Sequence, residues 1–254
     1  MKEKELKKQI GWLIRDKYAG KINDKLGEDI IRLKKGEPID YVIGWKSFLN
    51  CRIDLSERPF IPRPETEYWT EKAISEIKKR RKKVAVADIF SGSGCIGLAV
   101  LRNAKNTKVD FIEKNPKFIK QIKINLRRNR ISSKRYRVIA SDIFEKTKGK
   151  YDFILANPPY VAKNDSVEKR VREFEPKEAL FAGTKGLKII GKFLREVPRY
   201  LRPAGEVWME FGYGQKKAIE SLLKKNNWKK YEFLRDQYGR YRFLRLFSSV
   251  INLI

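Results

Sequence analysis

Asn157-Pro158-Pro159-Tyr160 is the stretch of this chain whose residue types best suit chemistry. It follows a short apolar run, Tyr151–Ala156, that reads as a buried strand. Neither proline donates a backbone hydrogen bond, and each holds φ near −65°. Asn157 precedes a proline and is pushed toward an extended conformation. The expected result is a stiff ledge with two acceptors, the side-chain oxygen of Asn157 and the carbonyl of Pro158. Such a ledge can hold a planar NH2 group while its nitrogen attacks an electrophile, with Tyr160 as a flat apolar wall. The same residues would also suit a strand that merely stops at a Pro-Pro turn, with Tyr160 in the core.

A second cluster has the makings of a nucleoside site. Asp88-Ile89-Phe90-Ser91-Gly92-Ser93-Gly94 closes an apolar run and leads into a helical pattern. Its glycines let the backbone turn sharply and approach a ligand. Further on, Glu113 ends the next apolar run, where a carboxylate can accept both hydroxyls of an adenosine ribose. Ser141-Asp142-Ile143-Phe144 follows a third run; Asp142 is placed for the amino edge of an adenine and Ile143 for its face. Taken alone, the glycine loop also fits a dinucleotide enzyme or a plain tight turn. In open α/β sheets ligands bind beyond the carboxyl ends of the strands, and all four motifs fall there.

These motifs sit on a regular alternation. Val84–Phe90, Val109–Glu113, Tyr136–Ala140, Tyr151–Ala156 and Glu206–Phe211 read as strands. Helical patterns lie at Cys95–Asn103, Pro116–Arg128, Leu187–Leu201 and Gln215–Asn226. Strands alternating with helices predict a doubly wound, mostly parallel sheet. Two closing strands, near Lys230–Leu234 and Tyr241–Phe247, would add one antiparallel strand. Residues 2–35 read as two amphipathic helices parted at Gly20, and Tyr41–Leu55 as a hairpin turning near Asn50. Ile61-Pro62-Arg63-Pro64 is a rigid link, with Pro64 in the first turn of a helix running to about Arg80.

Composition narrows the chemistry. Histidine is absent, which excludes His-dependent triads, His-ligated metals and the commonest general base. Two cysteines, Cys51 and Cys95, make neither a disulfide framework nor a thiolate zinc cluster, and no metal is expected. The net charge of +28 draws a protein toward polyanions, so ribosome or RNA contact through a basic surface is one expectation. Solvated, ion-paired helix faces in a lysine-rich protein explain the charge equally well. No run reaches eighteen apolar residues and the first five residues carry no apolar signal region, so a cytoplasmic location without membrane contact is expected.

At this point the chain resembles the release-factor glutamine methyltransferases. The likeness runs from about Pro38 to Phe247. It includes Tyr41-Val42-Ile43-Gly44, the specific segment Ile61-Pro62-Arg63-Pro64-Glu65-Thr66-Glu67, and the Asn-Pro-Pro-Tyr motif shared by many amino-group methyltransferases. Phe174-Glu175-Pro176, Ala179-Leu180, Gly186-Leu187, Glu210-Phe211-Gly212 with Gln215, and Asp236 through Arg242 complete it. The resemblance implies a class I S-adenosylmethionine-dependent methyltransferase fold, Rossmann-like, with seven strands, one of them antiparallel. It also implies S-adenosyl-L-methionine as cofactor, and as acceptor the glutamine of a Gly-Gly-Gln loop in a peptide-chain release factor. The site carried over places Asn157, Pro158, Pro159 and Tyr160 in catalysis. Asp88, Phe90, Ser91, Gly92, Ser93, Gly94, Glu113, Asp142, Ile143 and Asn157 fall to the cofactor.

The sequence departs from the family in three places. Phe90 stands where relatives usually carry the first loop glycine. Ile143 replaces a frequent aromatic. The N-terminal helical region, which in the family is implicated in gripping the release factor, is short. Expected units are a helical region over 1–37, a hairpin linker over 38–60 and a catalytic domain over 61–254, in a monomer. Two rival readings remain: a nucleic-acid amino methyltransferase acting on adenine N6 or guanine N2, and a binding protein that has kept the fold and lost catalysis. Glu175 and Glu210 are expected to cap or pair with nearby arginines rather than to act in the reaction, and Arg63 suits either a structural ion pair or a carboxylate near the cofactor.

Overall fold

Proline, glycine and short polar residues mark where the regular elements start and stop. The computed structural model describes residues 3–248. Helices α1 (Glu3–Asp16), α2 (Lys25–Lys34) and α3 (Ile39–Ile43) close around Leu13, Leu26, Leu33 and Val42. The hairpin β1 (Trp45–Phe48) and β2 (Cys51–Asp54) turns through Leu49 and Asn50, both left-handed at φ +41° and +66°, the pattern of a type I′ turn. Tyr41 and Val42 thus lie in a short helix, not in the strand that their types suggest. The reason is tertiary: Tyr41 is buried and its hydroxyl donates to the Pro59 carbonyl at 2.7 Å.

Next comes α4 (Pro64–Lys78), with Arg63 extended before Pro64 at the first position and Glu65 and Glu67 in the first turn. Both features favour a helix start. The alternating unit follows as β3 (Val84–Ile89), α5 (Cys95–Asn103), β4 (Thr107–Glu113), α6 (Pro116–Arg128), β5 (Tyr136–Ala140) and β6 (Tyr151–Ala156). After it come α7 (Lys169–Phe174), α8 (Lys188–Glu196), β7 (Leu201–Glu210), α9 (Lys216–Lys225), β8 (Tyr231–Arg235) and β9 (Tyr241–Phe247).

The large sheet has seven strands in the order β5-β4-β3-β6-β7-β9-β8. All neighbours are parallel except β9, which runs antiparallel to both β7 and β8. Strand alternation splits the core between the two faces. Val86, Phe153 and Leu155 pack with α4, α5, α6 and the hairpin; Ala87, Ile89, Ile154 and Ala156 pack with α8 and α9. Helix α8 stops at Glu196, short of the expected Leu201. Pro198 follows in a 3₁₀ turn, where it can neither donate a hydrogen bond nor clear the preceding turn. Strand β7 begins at Leu201, and its pairing with β6 jumps from Tyr151–Leu201 to Phe153–Glu206 across a bulge. Among the described residues no helix is long and apolar enough to cross a membrane.

Candidate active site

The sheet order reverses beside β3, and a cavity of about 480 Å³ opens at the carboxyl ends of the strands around that point. Its size and apolar-rich lining are those of a small-molecule pocket. Phe90, Ser91, Gly92, Ser93, Glu113, Asp142, Ile143, Asn157, Pro159 and Tyr160 all line it. Asp88, Gly94 and Pro158 do not.

Glu113 ties the near wall together. Its Oε2 accepts from the Gly92 amide and its Oε1 from the Asn115 amide, each at 2.9 Å. Burial raises its carboxyl above the ordinary range, while those backbone donors pull it back. Each carboxylate oxygen accepts one backbone N–H and keeps a lone pair, the acceptor set a ribose diol requires. Asp142 is ion-paired with Lys192 at 2.7 Å and has Lys114 at 3.9 Å. Phe90 and Ile143 both hold left-handed backbones, at φ +60° and +53°. For a bulky or β-branched side chain that is strained, and such strain gathers at ligand sites. The Phe90 ring lies edge-on to Phe193, 6.0 Å between centroids.

Asp88 turns away from the cavity and beneath α5. Its Oδ2 accepts from the Gly97 amide at 2.9 Å while Oδ1 is buried without a partner. Gly97 is obligatory there, since a Cβ would come within 2.4 Å of the Phe111 ring.

At the far wall, the Asn157 amide is pinned from behind. Its Nδ2 donates to Glu210 Oε2 at 3.1 Å and to Thr66 Oγ1 at 3.2 Å. Among the described residues nothing donates to its Oδ1 or to the carbonyl of Pro158. Tyr160 is half-buried and its hydroxyl donates to Glu210 Oε1 at 3.2 Å. Burial and the Glu210 charge drive that hydroxyl above its usual range, so it stays protonated. The Tyr160 carbonyl accepts from Gln215 Nε2 at 2.8 Å, and the same amide takes the Gly212 N–H on Oε1 at 2.9 Å. Gly186 passes so close that a Cβ would sit 2.1 Å from that carbonyl, at a φ of +67°.

Two further edges of the cavity lining are Phe60 with Pro62, and Glu178 with Ala179 and Leu180. Glu175 holds the two edges together, pairing with Arg63 and accepting from the Ile61 amide at 3.1 Å. The ion pair expected for Glu175 and Arg63 is therefore present. Glu210 instead takes four hydrogen bonds, from Thr66, Trp69, Asn157 and Tyr160. Residue spacing alone did not reveal Thr66, Trp69 or Glu210 as parts of this site. Thr66 and Glu210 belong to the Pro-Arg-Pro-Glu-Thr and Glu-Phe-Gly segments; Trp69 lies outside both and had no such signal.

Comparison with known proteins agrees with this geometry. The "methyltransferase small domain" family matches residues 70–185. The release factor glutamine methyltransferase of Thermodesulfovibrio yellowstonii is 34% identical over 227 residues, covering 86% of this chain and 78% of the relative. This chain belongs to the release factor glutamine methyltransferase family. The Streptococcus pneumoniae enzyme of the same name is 33% identical over 223 residues, covering 85% of this chain and 77% of that one. Among solved structures, the T. thermophilus 16S rRNA N2 methyltransferase RsmC, in complex with AdoMet and guanosine, aligns with a TM-score of 0.55 at 17% identity. That alignment covers 75% of this chain and 45% of RsmC, and what the two share is the class I methyltransferase fold.

The methyl donor of this release factor glutamine methyltransferase is S-adenosylmethionine. The ribose-ready carboxylate of Glu113 and the apolar slot at Ile143 fit that molecule. The Phe90 ring packs on Phe193, leaving the cavity open. In this enzyme Asp88 supports the first turn of α5 from below and carries a pH signature. Burial pushes its carboxyl up to about 7, the Gly97 amide opposing and the Glu113 charge adding. The folded chain thus keeps a proton that the unfolded chain releases from about pH 4 upward. Stability owed to this group is full below about pH 4 and lost as pH rises through about 7. Asp88→Asn should therefore gain on wild type by about 4 kcal/mol between pH 4 and 8, at about 1.4 kcal/mol per unit. Urea unfolding of both proteins across that range checks it, and parallel curves would refute the assignment.

Proposed function

We propose that this chain transfers a methyl group from S-adenosylmethionine to the side-chain amide nitrogen of a glutamine in a peptide-chain release factor, the one in its Gly-Gly-Gln loop. Family membership and the acceptor ledge support the reading together. The observation that carries it is the Asn157 amide, whose NH2 is held by Glu210 and Thr66 while its oxygen has no protein donor.

An amide nitrogen is a poor nucleophile because its lone pair is shared with the carbonyl. Asn157 Oδ1 and the Pro158 carbonyl accept its two N–H groups and turn the lone pair toward the donor. Both oxygens also stabilise the positive charge that grows on nitrogen during transfer. Tyr160, tethered by its hydroxyl, packs along the amide plane. Glu113, Ile143 and the loop at Ser91–Ser93 hold the cofactor, whose sulfonium supplies an activated methyl group. Positioning provides most of the rest, since oriented intramolecular reactions reach effective molarities of roughly 10⁵–10⁸ M. The nitrogen gains a methyl and loses a proton to water, so no histidine is required.

The decisive experiment incubates the protein with isotopically labelled S-adenosylmethionine and a release factor, with RNA in a parallel reaction. Mass spectrometry should locate one added methyl on the Gly-Gly-Gln glutamine. Label found on RNA amino groups and not on that glutamine would overturn the proposal in favour of the nucleic-acid rival.

A further inference from the structure

We propose that Glu210 and Thr66 are positioning residues that fix which end of the Asn157 carboxamide faces the acceptor, and so make the ledge select a carboxamide over a carboxylate. The inference deepens the reading above and rests on it for its substrate. The two ends of an Asn side chain are nearly identical in shape, and a half-turn exchanges oxygen for NH2. Facing the cavity with its NH2, Asn157 would bind a carboxylate and repel an amide NH2. Facing it with oxygen, the residue does the reverse. Something behind the residue must settle the choice.

Two neighbours do so, and both offer only lone pairs. Glu210 follows Met209, which pairs with Ala156 across β7 and β6, so Asn157 and Glu210 emerge side by side. Glu210 is 1% exposed, leaving no water to compete for its oxygens. Burial raises its carboxyl, with donors from Thr66, Trp69 and Tyr160 and the charge of Arg242 opposing; Trp69 Nε1, which can only donate, points at the same Oε2 as Asn157 Nδ2, at 2.9 Å, so that oxygen serves as an acceptor. Thr66 spends its single hydroxyl hydrogen on Glu210 Oε2, at 2.6 Å. Toward Asn157 it presents oxygen only. An Asn157 oxygen turned inward would meet two acceptors in a buried place and lose two hydrogen bonds. The NH2 therefore points in, and Oδ1 points out. Thr66 and Trp69 reach this spot from the first turns of α4, which the extended Arg63-Pro64 entry aims at the end of β7. Thr66 and Glu210 thus act on the reaction through Asn157.

Two readouts test this, one of them independent of any acceptor. In the free protein, hydrogen exchange by NMR should find the Asn157 side-chain NH2, assigned by its loss in Asn157→Ala, strongly protected. Thr66→Val and Glu210→Ala should abolish the protection, while Thr66→Ser and Glu210→Gln, which keep an acceptor in place, should restore most of it. In turnover, Thr66→Val should lower kcat about 10-fold with cofactor affinity unchanged, the scale of one charge-assisted hydrogen bond. The double variant with Asn157→Ala should be no slower than Asn157→Ala alone, because the two residues work as one unit. Rapid exchange of that NH2 in wild type, or a further 10-fold loss in the double variant, overturns the proposal. Failure of wild type to methylate the glutamine while the NH2 is protected would instead count against the substrate assignment alone.

Discussion

Asn157→Ala should bind S-adenosylmethionine within about two-fold of wild type and transfer methyl groups about 10²–10³-fold more slowly, the scale for a lost transition-state acceptor. The asymmetry follows from position. Asn157 follows β6, while Glu113, assigned to the ribose, ends β4, and Asp142 and Ile143, assigned to the adenine, follow β5. Truncation removes the side-chain acceptor and leaves the Pro158 carbonyl, so one of two amide N–H groups goes unheld. The lone pair is then no longer steered, and developing charge loses a partner. A fall in kcat with little change in cofactor affinity marks an interaction made in the transition state. Calorimetry for affinity and single-turnover transfer for rate separate the two. Transfer within a few-fold of wild type would show that the ledge holds the acceptor by some other atom.

The sequence was most legible where turn-forming residues bracket an apolar run. Cys95–Asn103 starts after Gly94, Pro116–Arg128 starts at a proline with the Asn115 side chain accepting from the Lys117 amide, and Tyr151–Ala156 ends against the Asn-Pro-Pro ledge. Each boundary is set by atoms within a few residues, so local chemistry suffices. Legibility failed where a distant partner decides. The start of β7 at Leu201 lies beyond a bulge containing Pro203 and Gly205, which alone spell a turn. Only pairing with Tyr151 makes Leu201 part of the strand. The site divides likewise. Asn157 and Glu113 stand at the ends of apolar runs and could be read from pattern. Thr66 and Glu210 meet across 144 positions, a contact no periodicity encodes. Asp88 lies in β3 just before the Ser91–Gly92 loop, so sequence alone groups it with the cofactor residues. Its side chain instead alternates away from the cavity, to the face occupied by α5.

The same geometry makes Glu113→Ala the most damaging change for cofactor binding. A ribose diol would place one hydroxyl on each Glu113 oxygen, and hydrogen bonds to a charged acceptor are worth about 1.5–3 kcal/mol each. Loss of both should weaken S-adenosylmethionine binding by about 10²-fold or more, and Glu113→Gln, keeping one oxygen, by about 10-fold. The carboxylate also anchors the Gly92 and Asn115 amides, so loop collapse could mimic the effect. An analogue lacking both ribose hydroxyls resolves this. It should bind wild type poorly and lose little more in Glu113→Ala, whereas collapse would cost both ligands equally. Acid provides an independent sign. Protonation turns one Glu113 oxygen into a donor and removes an acceptor. Binding should hold above the Glu113 titration and fall as pH drops through it. Because burial raises that carboxyl, the fall should begin at a higher pH than an exposed glutamate would give. Binding that persists unchanged down to the range of an ordinary carboxylate would contradict both the ribose contact and the burial that shifts it.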